Sequence, residues 1–299
     1  MVGRARDIVT PRTGGAPIVC AEDGFVAKVR QDRSIAAIEA QPRRTDLSRL
    51  VGVRGGGKLR HALEEIIPEE RRNSTPLYLI LDDISGSSLI ANWAWSQWDA
   101  DWLVSRRIAV NPEDWARMMR EREGVCTGFA PGSSSLDPDL AKMAERTGTT
   151  PTSDLRHPQD PEGWHAFTVQ DKVGMRRARR IDVWIDRVIV VEAAFQDSAS
   201  TRDGGRAALH EYNLSATVDP RTMQVLTIDA TPRVLPFAEC PGAVANLPRL
   251  IGADVSTMRQ KVLDELPGTL GCTHLNDALR SLAEVPALVR YLQRSIEAA

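Results

Sequence analysis

The chain has 299 residues, enough for one large domain or two of ordinary size, each with a sizeable core. Apolar residues make up 42% and charged residues 26%, the balance of a soluble globular protein, and a net charge of -2 gives no electrostatic footprint for nucleic acid. No run approaches the ~18 apolar residues of a membrane span, and the opening MVGRARDIVTPRTGG lacks a secretory core, so a cytoplasmic protein is expected.

Residues 1–16 read as a loose arm, punctuated by Pro11, Gly14 and Gly15. Phe25–Arg30 and Ser34–Ala40 follow as a short hairpin, ended by Pro42 because proline cannot donate to a ladder. Leu47–Gly52 is a helical turn closed by glycine, and Lys58–Ile67 places Leu59, Ala62, Leu63 and Ile66 on one helical face. Gly52–Lys58 spells the start of a phosphate-binding loop. The residue after Lys58 is Leu59, so the magnesium ligand of such a loop is missing and a surface turn is the better reading.

Leu77–Asp82 reads as a strand, and Leu89–Trp95 as its returning partner. Pro112–Glu123 is an expected helix with Asn111 as its cap. Gly124–Ser135 is a glycine- and serine-rich loop, and Leu136–Arg146 a further expected helix. The proline-rich segment 147–163 is the expected linker between a first half, 17–146, and a second, 164–299, which together form one compact unit. Four strands are expected after it, over Arg179–Asp186, Val188–Asp197, Ala208–Asp219 and Gln224–Arg233. The run Arg176-Arg177-Ala178-Arg179-Arg180 reads as a solvated face. Helical pieces over Ala243–Leu250, Val255–Leu266 and Leu275–Ile296 close the chain.

The two ends resemble each other. Ile38–Arg43 aligns with Ile228–Arg233 at an offset of 190, and Leu47–Gly52 with Leu247–Gly252 at an offset of 200. The expected fold class is therefore α+β. Two pseudo-repeated hairpin-helix-helix units would form an antiparallel sheet or a partly closed barrel, with helices packed outside.

Four cysteines, Cys20, Cys126, Cys240 and Cys272, stand far apart and suit free thiols. On the strand Ala208–Asp219, His210 and Tyr212 share the apolar face with Leu214, while Glu211 and Asn213 face the other way. Two titratable groups against apolar neighbours suit general acid–base work. Asp82, Asp83, Asp197 and Arg233 are candidate partners. Trp93, Trp95 and Trp98, with Tyr78 on the neighbouring strand, are expected to line an apolar pocket, because four of the seven tryptophans fall within ten residues. Cys272 and His274, with Cys240 and His210, form a weaker constellation whose spacing matches no standard zinc pattern.

The words HEYNLSATVDP, IDATPRVLPFAECPGA, LPRLIG and GTLGCTHLNDALRSLAEVP resemble the bacterial family catalogued as domain of unknown function 2889. The resemblance covers Met175–Pro286. It carries a loose association with catabolism of lignin-derived aromatics, whose pathways include cofactor-independent lyases that release formaldehyde. The expected function is such a lyase: no cofactor or metal, His210, Tyr212, Asp82 and Arg233 catalytic, and the tryptophans and Tyr78 holding an aromatic substrate. A hydrophobic-ligand-binding protein and a metal-dependent hydrolase using Cys272, His274 and His210 are the alternatives. A homodimer stays open; nucleic acid and membrane partners are not expected.

Overall fold

The computed structural model describes residues 1–11, 16–43, 45–99, 101–137, 150–165 and 171–297. The chain divides into two units: one of Met1–Leu89, Arg156–Ala166 and Ala283–Ala299, the other of Ile90–Leu155 and Phe167–Leu282. The helix expected over Leu136–Arg146 lies almost wholly outside the described residues, as do residues 147–149 of the expected linker.

The first unit is built on a three-stranded antiparallel sheet in the order β1-β2-β3, with β1 over Val2–Val9, β2 over Ile18–Val29 and β3 over Ile35–Gln41. The N-terminal residues are therefore not a loose arm: β1 pairs along β2 from Val2 opposite Val26 to Val9 opposite Ile18. A 3-10 turn over Thr45–Leu50 leads into α1 (Gly57–Ile66), which buries Leu59 and Leu63 one turn apart. Short α2 (Pro68–Asn73) and long α3 (Pro76–Ile90) complete the layer. Phe25, Ile35, Leu47, Leu63, Leu77 and Leu81 share one core.

Helix α3 corrects the strand expected over Leu77–Asp82. Five apolar residues in a row fit either period, so β-propensity decided the reading. The helical spacing emerges only over the longer span, where Leu77, Tyr78, Leu81, Ile84, Ser85 and Ser88 are buried. The start is fixed by side chains: Thr75 Oγ1 accepts the Tyr78 N–H at 3.3 Å, and Asp23 Oδ2 accepts the Leu77 N–H at 3.2 Å. The returning strand is absent too; Ala91–Gln97 is a 3-10 helix.

The second unit carries a four-stranded antiparallel meander in the order β4-β5-β6-β7, over Met175–Ile185, Ile189–Ser200, Arg206–Val218 and Val225–Val234. All four expected strands are present, each longer than expected at one end and one residue shorter at the other. Neither sheet is a closed barrel. The expected helix after Asn111 is α5 (Pro112–Arg122), following α4 (Trp102–Ala109), and Asn111 Oδ1 accepts the Asp114 N–H at 2.8 Å. After β7 come a 3-10 stretch over Cys240–Leu250, α6 (Met258–Glu265) and α7 (Thr273–Arg280). Helix α8 (Val285–Glu297) belongs to the first unit. No helix among the described residues is long and apolar enough to cross a membrane.

One residue of the expected surface face is buried, while Asn213 and Ser215 beyond it are exposed. Glu211 lies on the supposed polar side of β6, yet it accepts hydrogen bonds from Gln196 Nε2 at 2.8 Å, Ser153 N at 2.9 Å and Ser153 Oγ at 2.7 Å. The segment at Pro151, bridged to Ala207, covers that side of the strand. Glu211→Ala strips three donors of their acceptor inside the protein. It is expected to lower the stability of the second unit by about 2–4 kcal/mol in a urea titration, whereas a solvated glutamate would cost nothing measurable.

Candidate functional site

The second sheet sets three polar side chains in a row across adjacent strands. In the ladder Arg177 lies opposite Asp197, and Asp197 lies opposite His210. Cross-strand partners of this kind bring their side chains within reach of each other. A bulge follows at once: Ser198 pairs with Ala208, so Leu209 is the extra residue on β6. Helix α7 packs on β6 and offers His274 and Asp277, one helical turn apart, to the same row.

Arg177 holds the row together. Its Nε donates to Asp197 Oδ1 at 2.8 Å and its Nη2 to Asp197 Oδ2 at 2.9 Å, a bidentate fork. Its Nη1 donates to Asp277 Oδ2 at 2.8 Å, and its guanidinium lies over the Phe195 ring at 4.8 Å. Arg280 backs Asp277, Nη1 to Oδ1 at 3.6 Å. The side chain of Arg177 is 4% exposed and that of Asp197 not at all. The arginine run read as a solvated face thus contains a buried ion-pair centre. Alternation explains the miss, since one arginine of a run can turn inward while its neighbours stay half-buried.

The two imidazoles stack with centroids 3.4 Å apart and planes 17° from parallel. His210 Nδ1 stands 3.7 Å and His274 Nε2 3.9 Å from the same atom, Asp197 Oδ2. Both nitrogens are buried and neither has a hydrogen-bond partner. Burial holds both histidines well below the ordinary imidazole range; for His210 the neighbouring His274 adds to it, and for His274 Arg177 does. Both rings are therefore neutral. The three ligand atoms, one each from Asp197, His210 and His274, all lie within 4.8 Å of one another.

Tyr212, two residues beyond His210, is fully buried. Burial raises its phenol above the ordinary range, with the adjacent Cys272 thiol the next cause. Cys272 and Cys126 are raised by burial, and Cys240 is pushed up to about 12 by the same cause. Thiols held protonated in this way are poor nucleophiles.

Asp82, expected at a strand end, lies within α3 of the first unit with Arg60 Nε 3.7 Å from its Oδ1. Tyr78 belongs to that unit's core, not to a neighbouring strand. Arg233 is exposed on β7. Trp93 and Trp95 share no strand face, because their segment is a 3-10 helix, and Trp95 is 49% exposed. Trp98 is the tryptophan that docks: its indole N–H donates to the Ser200 carbonyl on β5 at 2.8 Å.

Residues 175–288 match the model of a family described as Protein of unknown function (DUF2889). Over that segment the chain is similar to the DUF2889 family. No curated protein and no solved structure matches the chain. The DUF2889 segment contains the whole meander and every member of the polar row: Arg177, Asp197, His210, His274 and Asp277.

Proposed function

We propose that this chain is a metal-dependent enzyme whose ion sits on His210 Nδ1, His274 Nε2 and Asp197 Oδ2. One observation carries the reading: two buried, unpartnered ring nitrogens face the same carboxylate oxygen. A buried polar atom without a partner costs about 1–3 kcal/mol, and here two are left side by side. An ion gives both a partner. Two imidazoles and one carboxylate are the donor set of catalytic zinc and non-haem iron sites, where three protein ligands leave a position open for water or substrate. Neutral imidazole is the form that ligates. Arg177 and Asp277 fit the supporting shell that orients a ligating carboxylate. A metal there supplies Lewis-acid activation of a bound water or carbonyl. Of the alternatives raised by the sequence, this is closest to the metal-dependent hydrolase, with Asp197 in the place considered for Cys272.

The test is elemental analysis of the purified chain after exposure to zinc, iron(II) or manganese(II). Close to one equivalent is expected in the wild type. His210→Ala and His274→Ala should each weaken retention by more than ~100-fold, beyond the range that supporting-shell losses reach. A folded wild type that takes up none of the three metals, or alanine variants that bind as well as it does, would refute the assignment.

A second reading keeps the cofactor-free lyase acting on an aromatic small molecule. It is favoured by Trp98, whose indole sits on the strand that carries Asp197, and by the neutrality of His210, which suits a general base. The metal analysis separates the two, because turnover unaffected by exhaustive chelation belongs to the lyase.

The pseudo-duplication bears on where chemistry lies. Supporting it, Phe25 pairs with Ala40 and Ala27 with Ile38, as Leu214 pairs with Ala230 and Ala216 with Ile228. Gly52 at φ 87° donates to the Ile35 carbonyl at 2.8 Å, as Gly252 at φ 82° does to that of Val225 at 2.8 Å. Asp7 opposite Ala21 precedes a bulge in the first sheet, as Asp197 opposite His210 does in the second. In this alignment both copies have the aspartate and only the second has the imidazole. The metal site would then be an addition to a repeated frame.

A further inference from the structure

We infer that an ion at His210, His274 and Asp197 completes its coordination with an anionic donor, so that the substrate presents a carboxylate, phenolate or phosphate oxygen to it. The inference rests on the metal reading and deepens it by naming the class of ligand.

The argument is one of charge. The imidazoles bring none as ligands. The only anionic ligand is Asp197, and both of its oxygens already accept hydrogen bonds from Arg177, at 2.8 and 2.9 Å. Its charge is therefore shared with a guanidinium before an ion arrives. A divalent ion at Oδ2 would share that oxygen with the guanidinium, so Asp197 would offset the ion's charge only in part. The setting makes this expensive, because Asp197 is fully buried and His210 nearly so, and charge removed from water is costly unless paired. A neutral fourth ligand leaves the imbalance standing, whereas an anionic one removes it. The direction of entry is also indicated. Among these side chains, His274 and Asp277 of α7 are the more exposed, at 10% and 11%, and Thr273 beside them is exposed. The incoming donor approaches past His274.

Cobalt(II) serves as the probe metal, since its visible bands report its coordination. The full chain loaded with cobalt is titrated with azide, a small anion, and separately with acetonitrile, a neutral linear nitrogen donor of similar size. Azide is expected to shift the bands and saturate; acetonitrile is expected to leave them in place. Asp277→Asn withdraws one negative charge from Arg177 without touching a ligand, and should tighten azide binding severalfold. If that variant fails to fold, the comparison of azide with acetonitrile on the wild type still decides. Stoichiometric cobalt with bands that azide does not move, or moves no more than acetonitrile does, overturns the anionic ligand and leaves the metal reading standing. Failure to take up cobalt overturns both.

Discussion

Arg177→Met is expected to cost the second unit about 3–5 kcal/mol in the absence of metal, one of the largest single-residue effects in the chain. The guanidinium donates to two carboxylates at once, Asp197 on β5 and Asp277 on α7. Methionine fills much of the volume and leaves both acids without that partner, one of them fully buried. The loss is electrostatic rather than a packing loss, and two further measurements test this. Removing the Asp197 charge in the same chain, as Arg177→Met with Asp197→Asn, should cost clearly less than the sum of the single variants, since the residues interact directly. Zinc should stabilise Arg177→Met more than it stabilises the wild type, because the ion then supplies the only cation next to Asp197, and a tighter ligand shifts the midpoint further. Urea titrations of the four proteins with and without zinc give both numbers. A cost under ~1 kcal/mol for Arg177→Met would mean that the fork contributes no more than a surface pair does.

The sheet of the second unit was legible because its strands alternate over ten or more residues, and period-2 patterning of that length has no helical alternative. The same rule explains the failure at Leu77–Asp82. Five apolar residues carry no decisive period, and what made α3 a helix was the buried serines beyond them and an acceptor from a distant strand, Asp23. His210 and Tyr212 were placed inward correctly, since alternation alone determines that. The partners of His210 were harder. Asp197 is its cross-strand neighbour only once the β5–β6 register is known, and His274 reaches it from a helix more than sixty residues later. Arg177 was hidden by its own neighbours, because a run of arginines looks solvated when composition is read without pleat. The tryptophans misled for the opposite reason. Their density suggested one pocket, but a 3-10 turn directs them apart, leaving Trp95 half-exposed and Trp98 tied to Ser200. Local periodicity thus located individual site residues, while the site itself depends on register and on long-range packing.

Asp7→Asn is expected to stabilise the first unit above neutral pH and to leave it nearly unchanged below pH ~4. Asp7 is largely buried on β1, and its carboxyl is raised to about 7, first by burial and then by Glu284 and Asp23. Cys20 and Tyr291 also face it, and its charge raises both of them. An unfolded aspartate titrates near ~3.9. Between that value and about 7, the folded chain keeps a proton that the unfolded chain has lost. Stability therefore falls as pH rises through this window, is fully retained below it, and stays reduced above it. A shift of this size corresponds to at most ~4 kcal/mol, and partial exposure brings the expected effect closer to ~2 kcal/mol. Asparagine is close in shape to the protonated acid and cannot ionise. The variant should match the wild type near pH ~3 and exceed it by several degrees in melting temperature near pH ~8. Parallel melting profiles across that range would show that Asp7 ionises freely in the folded chain. The contrast with the second unit is physical. Asp7 and Asp197 each precede a bulge in their own sheet, but Asp7 meets other acids and keeps its proton, whereas Asp197 meets Arg177 and forms an ion pair. Of these two aspartates, Asp197 is the one held charged and the one beside the histidines.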